Sequence, residues 1–467
     1  MTHIVHGVRR ILLRSGKSPF SVLSVEDALH QDVIATNAGN LIFSDAAHKI
    51  LSTPRTEVVS NGARTEVAAA RRINEEFDAF VIPLANAFRP SFERQLLRLT
   101  RLISKLKIPV VVLGVGAQAG LNYDPERLAP MAPVVKDFVS AVLDRSASIG
   151  VRGEFTEQYL KGLGFRNVDV IGCPSLFAQG EKVSVRKADA LTPESRIALN
   201  GSHSALRNKR FAALLTRTYT DYPQVRFIGQ NLSEARQLHW RDMSAPTSIL
   251  TSVPTHPCHP LYRDDKVRVY VDPVTWIDEL GDFDFSFGAR IHGNIAALLA
   301  GTPCTVLCAD ARTLELARYF EIPHQKITDL PAEWQAADLY AAADFGGFLK
   351  GHKERFLRFT DFLARNGLEN TFEHGDGGAA FDARMGELTF PPAVRPWNVA
   401  DLASVSDRFN WLHTQLDDAT QRAVQLERNL AKFRTHGAGA NPKPSVYRRA
   451  RRIVGRPIKR VLQARSS

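Results

Sequence analysis

The stretch FDFSFGARIHGNIAALLAGTP, residues 283–303, decides the fold of this chain. Phenylalanines alternate with other residues at its start, which is the period-2 pattern of a β-strand. The alternation breaks at Gly288 and gives way to an Ala- and Leu-rich run. That run ends in Gly-Thr-Pro, a sequence typical of a helix C-terminus. We therefore predict a strand, a tight turn and a helix, the repeating unit of a parallel α/β sheet.

Arg290, His292, Gly293 and Asn294 occupy the predicted junction between this strand and this helix. Ligands of open α/β sheets bind at the carboxyl ends of the strands, and helix N-termini favour anions. A fixed cation and a titratable imidazole at such a junction predict an anion-binding site that can carry out acid–base chemistry. The alternative is that Arg290 and His292 form a structural pair that holds a strand end.

The chain alternates short apolar runs with helical patterns up to about residue 340. Continuous apolar runs such as DAFVIPL (78–84), IPVVVLG (108–114) and CTVLC (304–308) suit strands buried on both faces of a parallel sheet. Further strands are predicted at 32–35, 147–151, 168–171, 197–200, 225–228 and 267–271. Because 467 residues exceed one ordinary core, the pattern predicts an α/β protein with two Rossmann-like domains.

The predicted domain bounds follow from these patterns and from changes in composition. A lead-in covers 1–30, an N-terminal Rossmann-like domain 31–190, and a C-terminal Rossmann-like domain with the Arg-Ile-His-Gly site 191–340. A closing helix follows at 341–370, then a linker at 371–400, a heptad helix at 401–434, and a linker with a basic tail at 435–467.

Ten apolar residues from Leu402 to Phe433 are spaced alternately by three and four positions. This is the pattern of a coiled coil. A homodimer through residues 401–434 is one interpretation, and an amphipathic helix that docks on its own body is the other.

The net charge of +11 is concentrated at the C-terminus, where residues 443–467 contain nine Lys or Arg and no acid, leaving +2 for the rest of the chain. Contact of 443–467 with an anionic membrane surface is one interpretation of this tail. Nucleic acid is a weaker one, because the body has no basic face, and disorder without a partner is the third.

Composition also bears on location and on metals. Four scattered cysteines favour a reducing compartment, and no apolar stretch approaches the ~18 residues of a spanning helix. We expect a cytoplasmic protein, with peripheral association at the inner face of the membrane if the tail binds lipid. The THPCHP sequence (255–260) lacks a second ligand pair, so we predict a loop there and no metal site.

Several further residues follow predicted strands and are candidate ligand contacts. Asn37, Gly39 and Asn40 lie in a loop between the strand predicted at 32–35 and a helix, although an ordinary turn is equally compatible with the pattern. Gly116 belongs to GVGAQAG (114–120), which lacks the later acidic residue of a dinucleotide fingerprint.

Three more candidates lie at the ends of other strands: Arg152, Ser175 in a Gly-Cys-Pro-Ser turn, and His203. Arg152 could instead pair with Glu154 or Glu157, and His203 could be a polar loop residue.

Three segments together resemble the polysaccharide pyruvyl transferase family: SIGVRGEFTEQYLKGLGFRNVDVIGCPSLF (148–177), GARIHGNIAALLAGTPCTVL (288–307) and, more weakly, TNAGNLIF (36–43) with GVGAQAG. The resemblance implies a fold similar to GT-B glycosyltransferases, with two domains facing each other across a cleft. It also implies transfer of pyruvate from phosphoenolpyruvate to two hydroxyls of a sugar, which forms a ketal. The family often has Asp where this chain has Asn40, so this position has lost that charge.

The implied partners are phosphoenolpyruvate as donor substrate, with no other cofactor, and a saccharide of a cell-surface polysaccharide or glycolipid precursor, lipid-linked in one interpretation. Phosphoenolpyruvate carries a phosphate and a carboxylate, and arginine suits both groups. We expect Arg152 and Arg290 to grip the donor from opposite sides of the cleft. His292 would protonate its methylene carbon, and His203 is the lesser candidate.

The helix N-terminus near Asn294 would stabilise the departing phosphate. Two other functions remain open from the sequence. One is a GT-B-type glycosyltransferase that uses a nucleotide sugar, and the other is a non-catalytic scaffold that acts through the heptad helix and basic tail.

Overall fold

The computed structural model describes residues 8–244, 254, 256–397 and 401–436. Met1–Trp397 form one compact unit and Asn398–Ser467 form a second. The strands of the described residues are β1 (Arg9–Leu13), β2 (Thr56–Ser60), β3 (Ala79–Pro83), β4 (Asn86–Phe88), β5 (Val110–Leu113), β6 (Gly116–Ala117), β7 (Ile149–Val151), β8 (Val168–Val170), β9 (Ile197–Asn200), β10 (Arg226–Gly229), β11 (Val267–Val269), β12 (Phe285–Gly288), β13 (Cys304–Cys308) and β14 (His324–Lys326).

The α-helices of the described residues are α1 (Val25–Gln31), α2 (Gly39–Leu51), α3 (Ala70–Glu76), α4 (Glu93–Ile103), α5 (Ala132–Leu143), α6 (Glu154–Gly162), α7 (Lys209–Asp221), α8 (Leu232–Trp240), α9 (Pro260–Arg263), α10 (Pro273–Leu280), α11 (Ile291–Leu299), α12 (Ala311–Phe320), α13 (Ala336–Ala342), α14 (Gly346–Arg365), α15 (Thr371–His374), α16 (Ala379–Gly386) and α17 (Leu402–His436).

The first sheet is parallel and has the strand order β2-β1-β3-β5. A parallel pair, β7 and β8, continues beside β5 through a bridge between Val115 and Val151. Every residue of β3 and β5 is buried, as expected for apolar strands that are covered on both faces. The chain leaves β1 towards one edge of the sheet and leaves β3 towards the other, so a topological switch point lies between them.

The second sheet is also parallel, with the order β11-β10-β9-β12-β13-β14. This is the strand order of a doubly wound Rossmann fold, with its switch point between β9 and β12. The predicted strand–turn–helix unit is confirmed, because β12 ends at Gly288 and α11 begins at Ile291. The α/β architecture with parallel sheets therefore agrees with the sequence-based prediction.

One continuous apolar core joins the two sheets. It contains residues of β1, β3 and β5 together with residues of β9, β12 and β13. Helix α2 contributes Leu41 and Ile42 to this core and packs against both β3 and α11. Both sheets therefore lie within one compact unit, and the division into two domains at 31–190 and 191–340 stays a prediction.

The predicted irregular lead-in over 1–30 is wrong for its described part. β1 pairs with β2 on one side and β3 on the other, and α1 follows it. The strand predicted at 32–35 is also wrong: residues 32–36 form a turn in which Asp32, Ala35 and Thr36 have positive φ angles. The sequence RRILL has only three apolar residues, so its place in the sheet depends on partners that are distant in sequence.

The C-terminal part of the first unit differs from the prediction in two places. The closing helix predicted over 341–370 is divided into α13 and α14, with a break at 343–345. The linker predicted over 371–400 contains α15 and α16. After α14, the side chain of Asn366 accepts hydrogen bonds from the backbone of Ala147 and Ser148, so the chain returns to the first sheet.

The helix predicted at 401–434 is confirmed by α17. Two residues of its heptad pattern, Leu402 and Leu416, are 75% and 65% exposed. Its pairing with a second copy stays a prediction, and the basic segment 443–467 lies outside the described residues. No helix in the described part of the chain combines the length and apolar character needed to cross a bilayer.

Candidate functional site

A cleft of about 840 Å³ is lined by loops that follow the carboxyl ends of strands in both sheets. Arg152 follows β7, in the half of the unit that contains the first sheet, and Arg290 follows β12, in the half that contains the second sheet. Both arginines line this one cleft. The structure thus brings together the two cations that the sequence analysis assigns to opposite walls.

The lining is strongly cationic. Asp32 is the one carboxylate among the described lining residues, whereas the lining arginines are Arg14, Arg89, Arg152, Arg207, Arg290 and Arg312. Four of these six are not predicted from the sequence. Arg14 and Arg89 directly follow β1 and β4, which the sequence analysis does not predict as strands. Arg312 is the second residue of α12, after the predicted strand β13, so a position beyond a predicted strand is the one signal that could have identified it.

Arg312 lies at the electrostatic centre of this cluster. Burial lowers the pKa of Arg89, Arg152 and Arg290, and in each case the positive charge of Arg312 lowers it further. The Nε of Arg312 donates a hydrogen bond of 2.9 Å to Asp310. Arg312 therefore repels these three guanidinium groups, while the charge of Asp310 beside it opposes the effect in each case.

Arg152 is 1% exposed. Its Nε and Nη2 reach the carbonyl oxygen of Gly114 only at 3.4 Å. No ion pair joins Arg152 to Glu154 or Glu157 among the described residues; Glu157 pairs instead with a lysine of its own helix. The charge of the buried Glu315 acts on Arg152, but no ion pair of the described residues involves this arginine. A buried guanidinium group without an ion-pair partner is costly, which is the condition expected of an anion-binding residue.

Gly116 supports Arg152 sterically. A Cβ added to Gly116 would lie 2.5 Å from Cδ of Arg152, a distance that non-bonded carbon atoms do not reach. Gly116 does not line the cleft. The predicted ligand contact of Gly116 is therefore corrected: this glycine leaves space for the side chain of Arg152.

His292 lies on the cleft floor and is 8% exposed. Its Nε2 is 3.7 Å from Sγ of Cys173, and its ring lies 5.5 Å from that of Phe43. Gly39 permits this position, because a Cβ there would lie 2.7 Å from Cβ of His292. Burial lowers the pKa of His292 to about 3, and the charges of Arg152 and then Arg312 add to this effect. The imidazole is neutral at neutral pH while the cleft is empty.

Glu234 is a site residue that the sequence analysis does not predict. Its Oε1 lies 3.9 Å from Nη2 of Arg290 and 3.3 Å from Nε2 of His203. Burial alone would raise the pKa of Glu234, but the close contact with His203 and the charge of Arg290 outweigh burial and lower it. The capping box that Glu234 forms with Asn231 at the start of α8 is a recognisable sequence signal.

Two predicted ligand contacts lie below the cleft surface. Asn294 is 0% exposed, and its Nδ2 donates to the carbonyl oxygens of Gly288 and Arg290. Ser175 is also 0% exposed, and its Oγ lies 3.1 Å from Sγ of Cys173. Both assignments are corrected: these side chains hold the turn before α11 and the floor beneath His292.

Gly293 is the third residue of α11. A Cβ there would lie 2.5 Å from Nε2 of Gln230, so glycine is needed for close packing. The N–H groups in the first turn of a helix have no acceptor within that helix. The predicted contact of Gly293 with a ligand therefore concerns its backbone and stays a prediction.

Three residues that the sequence analysis names as candidate ligand contacts line the cleft: Asn37, Asn40 and His203. Asn37 forms an antiparallel bridge with Asn231, which also lines the cleft. The Nδ2 of Asn40 donates to the carbonyl oxygens at positions 34 and 35, at 3.2 and 2.9 Å. An ionised aspartate could not donate these bonds, so Asn40 stabilises the left-handed turn that precedes α2.

The sequence profile of the polysaccharide pyruvyl transferase family matches residues 37–307, more than half of the 467 residues. The chain belongs to this family. The matched range includes Arg152, Arg290 and His292, whereas Arg14 and Arg312 lie outside it. Membership of the polysaccharide pyruvyl transferases confirms the resemblance found in the sequence.

No curated protein sequence matches this chain at a significant level. Similar solved structures include the UDP-GlcNAc 2-epimerase from Methanocaldococcus jannaschii, with 12% identity, a TM-score of 0.38 and coverage of 81% of this chain and 100% of that chain. The glycosyltransferase SnogD from Streptomyces nogalater has 13% identity, a TM-score of 0.31 and coverage of 82% and 100%. At such TM-scores neither structure informs the function of this pyruvyl transferase family member.

Proposed function

We propose that this protein transfers the pyruvyl group of phosphoenolpyruvate to two hydroxyls of a saccharide and so forms a ketal. The observation that carries the proposal is the cluster of Arg152, Arg290 and Arg312 beside His292 in one cleft. The acceptor would be a sugar of a cell-surface polysaccharide or of its glycolipid precursor.

The charge of the cluster matches this donor. The phosphate of phosphoenolpyruvate carries close to two negative charges at neutral pH, since its second pKa is about 6, and the carboxylate adds one. Arginine binds both groups through paired N–H donors. A bound trianion would remove the mutual repulsion that lowers the pKa of each guanidinium group in the empty cleft.

The donor would also convert His292 into an acid. Its pKa of about 3 reflects burial and two neighbouring arginines, and a trianion beside the ring reverses the sign of that local field. Protonated His292 then delivers its proton to the methylene carbon of phosphoenolpyruvate. The second carbon of the donor becomes electrophilic, and the forming methyl group keeps the proton.

Two sugar hydroxyls complete the reaction. The first forms a C–O bond at the electrophilic carbon, and the second forms another as the C–O bond to phosphate breaks. One hydroxyl proton restores His292, and the other leaves with hydrogen phosphate, so protons balance. His203, which lines the cleft and lies 3.3 Å from the carboxylate of Glu234, would accept the second hydroxyl proton and pass it to the departing phosphate. The N-terminus of α11 would stabilise the departing phosphate.

Calorimetry with phosphoenolpyruvate and a panel of nucleotide sugars tests the proposal. We expect phosphoenolpyruvate alone to bind, and Arg290→Ala to weaken its binding by about 10- to 100-fold, because a charge-assisted hydrogen bond contributes about 1.5–3 kcal/mol. Near pH 8, where a proton on His292 contributes little to affinity, His292→Gln should spare binding and stop phosphate release. Arg101→Ala, on the exposed face of α4, is the control for the loss of one positive charge.

The variant Glu234→Gln tests whether the negative charge of Glu234, and not only the shape of its side chain, is needed. We expect kcat for phosphate release to fall about tenfold or more, since Gln keeps the shape but not the charge that faces Arg290 and His203. Binding of a nucleotide sugar without binding of phosphoenolpyruvate would refute the proposed function. The acceptor itself can be identified by mass spectrometry of glycans from a deletion strain.

A further inference from the structure

We infer that the cleft contains a second anion-binding subsite, centred on Arg14, at which the acceptor saccharide presents an anionic group of its own. The identification of the ligand as the acceptor rests on the proposed function. The subsite itself rests on the position and surroundings of Arg14, a residue outside the range matched by the family profile.

The topology provides two binding positions rather than one. Arg290 follows β12 at the switch point of the second sheet, between β9 and β12. Arg14 follows β1, and Asn86 lies just beyond β3, at the switch point of the first sheet. Each switch point of a doubly wound sheet is a ligand-binding crevice, and both crevices open into the same cleft.

Arg14 lacks the partners that a structural arginine would have. Its Nε is buried without a hydrogen-bond partner, and no carboxylate of the described residues forms an ion pair with it. Ser15 Oγ and Asn86 Oδ1 are likewise buried without partners. The guanidinium group of Arg14 can bind an anion, and the two oxygens can accept hydrogen bonds from hydroxyl groups. Together they suit a charged saccharide.

The Arg14 position is distinct from the donor position. The charge of Arg312 contributes to the lowered pKa of Arg152, Arg290 and His292, whereas burial alone lowers the pKa of Arg14, to about 10. Arg14 follows β1 at the switch point of the first sheet, whereas Arg290 follows β12 at the switch point of the second sheet.

The chemistry of the second ligand is that of an oxyanion. The arginine fork accepts a phosphate or a carboxylate with two parallel hydrogen bonds. A phosphate ester at the reducing end of the sugar and a uronate within the saccharide are the two sources of such a group. Pyrophosphate and glucuronate are therefore suitable probes of the subsite.

The test titrates each probe into the full-length protein saturated with phosphoenolpyruvate. We expect pyrophosphate or glucuronate to bind without displacing the donor, and the responding probe identifies the source of the anion. Arg14→Met should raise the Kd of that probe at least tenfold and change the Kd of phosphoenolpyruvate by less than twofold. The control Arg101→Ala should change neither. Strict competition with the donor, or no binding of either probe, overturns the inference.

Two further measurements keep the outcomes separable. A binding residue without partners should not stabilise the empty protein, so Arg14→Met should melt at the same or a higher temperature than the wild type; a clear decrease would show that Arg14 is structural. Arg14→Lys keeps the charge but loses the fork and should bind the probe less tightly than the wild type. If phosphoenolpyruvate itself does not bind, the proposed function fails, and the same titrations into the ligand-free protein still decide the subsite.

Discussion

Binding of phosphoenolpyruvate should be accompanied by proton uptake at His292. In the empty cleft, burial and the charges of Arg152 and Arg312 lower its pKa from 6.5 to about 3. If the donor anion restores the ordinary value, the coupling between proton and ligand is about 5 kcal/mol, since one pKa unit corresponds to about 1.36 kcal/mol. This is an upper limit, because neighbouring groups relax and water screens part of the interaction.

The direction of the pKa change at His292 determines how proton uptake depends on pH. The complex has the higher pKa at His292, so the complex holds the proton at a pH where the empty protein does not. At pH 6.5 we expect His292 to take up about half a proton on binding, and its contribution to affinity to increase as the pH falls from 8 to 6. Calorimetry in buffers of different ionisation enthalpy measures this uptake directly.

His292→Gln is the matched control, because it removes the titrating group while keeping a polar side chain. The variant still reports any proton released by the phosphate of the donor, whose second pKa is about 6, and subtraction leaves the contribution of His292. Arg312→Met should raise the pKa of His292 in the empty protein, which NMR titration can follow. Equal proton uptake by the wild type and His292→Gln would refute this reasoning.

Three further predictions concern other parts of the molecule. Gly116→Ala should weaken phosphoenolpyruvate binding at least tenfold by calorimetry, since its Cβ would lie 2.5 Å from Arg152, whereas Gly162→Ala should not, since nothing lies within 4 Å of its Cβ. Burial raises the pKa of Asp45 to about 8, so its protonated form is favoured in the folded state and stability is lost as the pH rises from about 4 through 8. Asp45→Asn should therefore raise the Tm by a few degrees at pH 9 and little at pH 5, and equal changes at both would contradict this. Leu416→Asp should halve the mass measured by light scattering if α17 forms a dimer; a monomeric wild type would show that the dimer prediction is wrong.

Much of the α/β pattern is predictable from local sequence. Strands β9 and β13 lie at the predicted positions 197–200 and 304–308. They are apolar runs buried in the interior of the second sheet, where the pattern alone identifies a strand. The junction at Arg290 and His292 is equally visible, because Gly288 marks the change from strand to helix.

Other features have no local signal of this strength. The sequence of β1 has three apolar residues, and only pairing with β2 and β3 makes it a central strand. With β1 unpredicted, Arg14 could not be recognised as a residue at a strand end. Arg312 follows a correctly predicted strand, but its position at the centre of the arginine cluster depends on how the two halves approach each other.

Amino-acid order alone determined the strand–turn–helix units and the cation and imidazole at residues 290 and 292, since these depend on neighbours within a few tens of residues. It also determined membership of the pyruvyl transferase family, since motifs can be recognised in the sequence however far apart they lie. Only the tertiary structure decided which arginines share a cleft, which predicted contacts lie beneath its surface, and that Glu234 faces Arg290 and His203. Electrostatic interactions act through space, so the charge around a site depends on residues that the chain keeps far apart and folding brings together.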